Sequence, residues 1–440
     1  PLTSEAIRQS SMKLSATEVR ERVQLRARRC WKRAREWDSV RKAVHNVTDE
    51  KVAATGVRDP PSRTSLEAVA AHALLQRLAW RPRLAGTSSE KEARNVCADR
   101  LRAQGFDVTE QPFEFSEFPG RWAPSIGAVA AAITTFSSIH ATVGHAMPVT
   151  GLSILFGGAA IIALAGRWMA RHGTSRFPWL RSNSVNLVAT RGLGGIDRPR
   201  QWLVAHLDSK SQTVPMIVRI AGVALSALMM LLLAASTVAH AFVDGARALG
   251  QLDLVITVIG WLTGVALVPV VLCIVGSRSS GALDNGSGVA AVLMAARRID
   301  NGRPLGVLFT SGEELGLAGA RAYVAANPRG GIALNCDTCD DHGRFIGMMH
   351  GSPYKSQLAQ ALTRASEKLG VPVRVGAMLP GVLADNIAFT DAGWDSLTLS
   401  RGNSGTLSRV HTAGDRPDKL DGSGIAEAAR LLAATIEELP

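Results

Sequence analysis

Six side chains, His206, Asp284, Glu313, Glu314, Asp337 and His411, are of the types that hold divalent metal ions and move protons. They stand in LVAHLDS, GALDNGSG, SGEELG, NCDTCDD and SRVHTAGD, short motifs far apart along the chain. Two imidazoles, three ligating carboxylates of which one could bridge, and one spare carboxylate make an inventory for two metal ions and a general base.

Each position also has a plainer reading. His206 is followed at i+2 by Asp208, and at a strand end the two share a face, so the carboxylate can fix the ring tautomer. A lone His is otherwise more often structural. Asp284, in a Gly-rich turn, can present both oxygens to metals or simply cap the following helix. Glu313 and Glu314 follow an apolar strand, where adjacent carboxylates repel unless cations are near; a solvated acidic loop is the competing reading. Asp337 ends the run IALNC, and its neighbours Asp340 and Asp341 read as solvent-facing, though either could replace it. Asp385, in LADNIAF, is a candidate for substrate contact.

The elements that must position these groups are legible as pattern. Helices are expected over 65–78, 90–104, 286–298, 318–326, 356–369 and 424–438, and strands over 106–115, 184–190, 201–205, 306–310, 331–335, 371–375 and 396–400. The strands 184–190 and 201–205 read as neighbours joined by a Gly-rich hairpin turn. Alternation after residue 280 implies a mostly parallel mixed sheet flanked by helices, an α/β fold. Ligands in such sheets bind beyond the carboxyl ends of strands, where His206, Glu313, Glu314 and Asp337 fall.

Four apolar runs, 123–147, 149–166, 220–240 and 254–275, have roughly the ~20 residues needed to cross a hydrocarbon core. Two precede His206 and two separate it from Asp284. Each pair returns the chain to its starting side, so the flanking segments can fold together. Arg121, Arg167, Arg171, Arg176, Arg219 and Arg278 lie on the catalytic side and only Arg247 on the other. That bias predicts an integral membrane protein with its catalytic domain on the cytoplasmic face. The segments are then 1–61, a basic and poorly ordered leader; 62–122, the first part of the catalytic domain; 123–169, a transmembrane hairpin; 173–213, catalytic domain continued; 216–276, a second transmembrane pair; and 280–440, the C-terminal part.

Composition narrows the partners. The net charge is +12, but only two Tyr occur and no basic stripe carries interleaved aromatics, so no nucleic acid is expected. The Arg-rich stretch 20–35 could touch anionic lipid. Five Cys without disulfide spacing favour a reducing compartment, and the Cys336–Cys339 CxxC reads as small residues at a strand end rather than a redox motif.

The ordered set RPRLAGTSSEKEARNVCADRLRAQGFDV, NLVAT, LVAHLDS, GALDNGSGVAAVL, VLFTSGEELGLAGARAY, ALNCD, ADNIAFTDAGWDSLTLS and HTAGDRPDKLD resembles metallopeptidase family twenty-eight, the aminopeptidase Y type of dizinc exopeptidases, in a membrane-embedded variant. The resemblance implies a dizinc exopeptidase-like fold with four inserted transmembrane helices, two Zn2+ as cofactors and a peptide as substrate. It implies Asp284 as bridging ligand, His206 and Asp337 completing one zinc site, Glu314 and His411 the other, Glu313 as general base and Asp208 orienting His206. The chain departs from many relatives in Thr338-Cys339-Asp340 after Asp337, in Asn386 after Asp385, and in the helical pair between His206 and Asp284. The leading expectation is a membrane-bound metallo-aminopeptidase. Alternatives are a glutaminyl-cyclase-like acyltransferase with one working zinc and a catalytically silent membrane scaffold; a transporter is disfavoured because the four runs carry no strongly charged pathway.

Overall fold

A computed structural model describes residues 63–192, 194–196, 198–243, 245–378 and 381–440. The expected leader 1–61 and the basic stretch 20–35 lie outside the described residues.

Among the described residues, two helices open the domain, α1 (Arg63–Leu78) and α2 (Ser88–Arg102). Strand β1 (Asp107–Ser116) leads to the first apolar insert, α3 (Ala123–Ile139) and α4 (Pro148–Trp168), and the chain returns as β2 (Arg181–Arg191). Strands β3 (Gln201–His206) and β4 (Ser211–Gln212) lead to the second insert, α5 (Met216–His240) and α6 (Ala246–Val271), followed by β5 (Val275–Gly276). The remainder is α7 (Gly288–Arg298), β6 (Leu305–Thr310), α8 (Ala318–Ala326), β7 (Ile332–Cys339), β8 (Arg344–Met349), α9 (Gln357–Leu369), β9 (Val373–Ala377), β10 (Asp395–Gly402) and α10 (Ser423–Glu437).

Eight strands form one sheet in the order β1-β2-β6-β3-β7-β10-β8-β9. The central four, β6-β3-β7-β10, run parallel. β1, β2 and β6 are joined antiparallel, as are β10 and β8. The sheet is thus mixed with a parallel centre, and β3 and β6 are buried along their whole length, as strands covered on both faces should be. Helices α1, α7, α9 and α10 share the larger core with one face of the sheet; α8 and the short helix Asn386–Asp391 cover the other.

One expectation is corrected. β2 and β3 are not neighbours: β6 lies between them, antiparallel to β2 and parallel to β3. The Gly-rich segment after Arg191 is therefore a crossover past one strand and not a hairpin turn. Strand β8 and the β4–β5 pair were not expected; β4 and β5 are only two residues long each, and β8 carries a Gly in its centre.

The inserts are built as long loops of antiparallel strand pairs. β1 and β2 stay in register to Ser116↔Arg181, where the first insert leaves, and Ser211 pairs Gly276 across the second. Four helical stretches are long and apolar enough to cross a membrane: Ala123–Gly144, Pro148–Arg176, Met216–His240 and Ala246–Val271. Many of their large apolar side chains are exposed, among them Ile133, Phe156, Ile161, Leu231 and Val265. Surfaces of that kind are at home in hydrocarbon rather than water. The base of the first insert is clasped by Phe118 stacked on Phe177 (ring centroids 4.3 Å apart) with Trp179 edge-on.

Candidate metal centre

The parallel strands end side by side, and their loops bring the scattered polar groups together. His206 ends β3, Glu313 and Glu314 follow β6, Asp337 lies within the last turn of β7, and Asp284 lies in the turn before α7. Asp284 is placed between the imidazoles: its Oδ1 lies 3.1 Å from His206 Nε2 and its Oδ2 2.9 Å from His411 Nε2. Asp337 and Glu313 approach His206 Nε2 at 3.6 and 3.8 Å, and Glu314 approaches His411 Nε2 at 3.1 Å. Two groups result, His206–Glu313–Asp337 and Asp284–Glu314–His411, each with ligand atoms within 4.8 Å of one another.

Local structure explains these positions. Between β7 and β10 the register advances three residues on one strand for two on the other, and Thr338 takes a left-handed φ of 61°. The resulting bulge turns Asp337 toward the cavity. Asn285 clamps it, donating from Nδ2 to the Cys336 carbonyl (2.8 Å) while its Oδ1 accepts from Thr338 N–H (3.2 Å). Asp415 accepts from the N–H groups of Leu283 and Asp284, fixing the bridging residue's backbone. The buried Arg83 guanidinium donates to the carbonyls of Leu78, Leu207, Ser280 and Gly281, tying the loop after His206 to the turn before Asp284. Gly281 is required there: its φ is +60°, and a Cβ would lie 2.4 Å from Ser209 Cβ.

Asp208 does more than the sequence suggested, and by different atoms. His206 Nδ1 is 3.1 Å from the Asp208 carbonyl oxygen and 3.6 Å from its carboxylate. The carboxylate instead accepts from the backbone N–H groups of Glu313 and Glu314, at 3.2 Å each. It therefore aims the acidic pair as well as the ring. Lys210 sits beside them, with Nζ 2.7 Å from Glu314 Oε2. Asp385 is buried behind the site, accepts from Thr310 Oγ1, and is not among the residues lining the cavity. Asp340 and Asp341 are buried rather than solvent-facing: Asp340 pairs with Arg409, and Asp341 accepts from the backbone N–H groups of Asp421 and Gly424, so neither joins the centre. Asn285, Asp415, Arg83 and Lys210 were missed as functional positions. All but Lys210 lie inside the quoted motifs, but their partners are distant in sequence.

Electrostatics follow from burial and crowding. Burial pushes Glu313 well up, Glu314 and Asp337 add to it, and His206 opposes. Asp284 is held well below the carboxylate range: burial works against its charge, but both imidazoles outweigh burial. Burial opposes protonation of His206, yet the carboxylates of Glu313, Asp208, Asp284 and Asp337 raise it well above its ordinary value. Such mutual dependence marks a site whose charges call for cations. The Nε2 atoms of both His are buried, and no carboxylate oxygen meets either in hydrogen-bonding geometry. Imidazole nitrogens ringed by carboxylate oxygens are a donor set that fits zinc. The buried Cys336 and Cys339 thiols, 3.4 Å apart, flank Asp337 but face the core.

The centre floors a cavity of about 590 Å³ lined by Asp284, Glu313, Glu314, Asp337 and His411. An α/β domain with a paired His–carboxylate centre at the ends of its parallel strands is the class that fold and site define. Residues 264–436 match the model of peptidase family M28. The match holds Asp284, Glu313, Glu314, Asp337 and His411 and leaves His206 upstream. No curated protein matches the chain. Among solved structures it is similar to an aminopeptidase from Aneurinibacillus sp. strain AM-1 (14% identity, 84% of this chain and 93% of that one covered, TM-score 0.48). It is similar also to a zinc aminopeptidase from Bacillus subtilis (15%, 87% and 96%, 0.49) and to a glutaminyl cyclase from Porphyromonas gingivalis (15%, 84% and 98%, 0.47).

Proposed function

We propose that the chain is a membrane-bound zinc exopeptidase that removes N-terminal residues from peptides. The observation that carries this reading is the position of Asp284, one oxygen against each imidazole, with a further carboxylate beside each ring. In this reading His206, Asp284 and Asp337 hold one zinc ion, and Asp284, Glu314 and His411 hold a second. Bound there, the pair supplies Lewis-acid polarisation of a carbonyl and an activated water. Glu313, left over from the ligand set, takes a proton from the attacking water and hands it to the leaving amine. Burial and the neighbouring carboxylates raise its affinity for a proton. Asp208 keeps Glu313 and Glu314 pointed inward through their backbone N–H groups.

The four apolar helices anchor the domain, and the Arg bias around their near ends favours a cytoplasmic orientation. Glu313→Gln keeps the shape and the ligands, so zinc content is expected to stay at the wild-type level while hydrolysis of aminoacyl reporters falls by about three orders of magnitude or more. Normal turnover in that variant removes the base assignment. One zinc per chain together with cyclisation of N-terminal glutamine would replace the peptidase reading with acyl transfer.

A further inference from the structure

We propose that the catalytic cavity opens at the membrane–water interface, and that its substrates are peptides whose N-termini lie in that interface, held there by a lipid-soluble segment. The proposal rests on the aminopeptidase reading and adds where the substrate comes from.

Three observations carry it. First, the cavity that holds Asp284, Glu313 and Glu314 is walled by the near ends of all four apolar helices. Ala123 opens α3, Gly166 lies in the last turn of α4, Met216 and Arg219 lie in the first turn of α5, and Cys273 follows α6. These helix ends mark the boundary of the hydrocarbon layer, so the cavity lies at that level. Second, exposed indoles gather there: Trp122 immediately precedes α3, Trp168 ends α4, and Trp179 lies at the base of the same insert. Indoles at membrane-helix ends sit at headgroup depth. Third, the cavity lining outside the four long helices also carries exposed apolar residues, Leu383 at 55% and Leu407 at 39% exposure, together with Ile346. Leu407 belongs to the short helix Ser404–Arg409, which touches α5 and ends two residues before His411. Exposed apolar residues in the lining favour a substrate segment that partitions into the interface over a freely soluble, charged one.

The test uses the full chain, zinc-loaded, in phosphatidylcholine vesicles. Three peptides share one Leu-led N-terminal sequence: one unanchored, one with a palmitoyl-lysine at position 4, one with it at position 20. A peptide spans at most ~3.6 Å per residue, so only a site at the interface reaches the N-terminus of the short-tethered peptide. The expected result is release of Leu from the short-tethered peptide with kcat/KM at least tenfold above the unanchored one and no lower than the long-tethered one. Leu383→Glu with Leu407→Glu is expected to cut that tenfold ratio to near one. Cleavage of the long-tethered peptide but not the short one places the site away from the membrane and overturns the proposal. Equal cleavage of tethered and free peptides, with the ratio unmoved by the double variant, also overturns it while leaving the peptidase reading intact. Release of Leu from none of the three overturns both.

Discussion

His206 and Asp337 are borne by β3 and β7, strands in the parallel centre of the sheet, whereas Glu314 and His411 stand on loops that pack against the roots of the apolar inserts. The first pair is set by buried backbone: β3 has no exposed residue, and Arg83 and Asn285 lock the turns around it. The second pair leans on the inserts. Gly120, at the root of the first insert, packs so closely on Leu315 that a Cβ would lie 2.4 Å from its Cα, and Leu315 follows Glu314 directly. On the other side the backbone N–H of Gln212, in the strand that leads into the second insert, donates to the His411 carbonyl at 2.8 Å. The difference teaches that the inserts are not an appendage. They form part of the frame around one half of the centre, while the sheet, with Arg83 and Asn285, frames the other.

That contrast can be broken in graded ways. The largest effect is expected from His206→Ala, which removes a ligand from the sheet-held half: one zinc lost per chain and turnover down by roughly three orders of magnitude, read by metal analysis and reporter hydrolysis. Retention of both ions would mean that the ligand set is misassigned. A smaller effect is expected from Gly120→Val, far from every ligand in sequence except through Leu315. Displacing a catalytic loop by about 1 Å costs on the order of 10²-fold in rate, so turnover should drop tenfold to a hundredfold, with zinc lost from the Glu314–His411 half and kept at the other. Uniform loss of both ions would show that the two halves are not separately framed.

The smallest effect sharpens the sheet-held half. Glu90 is buried and accepts from Gly86 N–H, while its partner Ser184 bonds Ser311, just before the Glu313 loop. Burial, with Asp208 nearby, pushes the Glu90 carboxyl up to about 7, above its ordinary 4.5. Below pH ~4.5 the group is protonated in both folded and unfolded chains; between ~4.5 and ~7 only the folded protein holds the proton, so stability falls as pH rises through that window. The shift corresponds to roughly 3 kcal/mol at most. Glu90→Gln should flatten that part of the Tm–pH curve for the detergent-solubilised protein; an unchanged slope would discard Glu90 as its source.

Much of the site was legible because its residues sit in motifs that mark strand ends, and a parallel sheet collects strand ends on one edge. His206, Glu313, Glu314 and Asp337 meet as that logic requires, while Asp284 comes in on the turn before α7 and His411 on the loop after the short helix Ser404–Arg409. What the sequence could not convey is adjacency. The pattern of β2 and β3 marks both as strands but not that β6 slides between them, since pairing depends on partners over a hundred residues away. The HxD spacing put Asp208 beside His206, yet the choice of its carboxylate for the Glu313 and Glu314 N–H groups depends on how the β6 loop arrives. Likewise the contact between Gly120 and Leu315, far apart in the chain, is visible only in the fold. The four apolar runs were found by length and composition, but their bases as walls of the cavity emerge only from packing.

The central claim is that one centre holds two metal ions through a shared Asp284. It is tested most directly by counting zinc in the purified full chain beside His206→Ala and His411→Ala. The account predicts two ions per wild-type chain and one in each variant. Wild-type protein that binds no zinc, or variants that keep both ions, would contradict it.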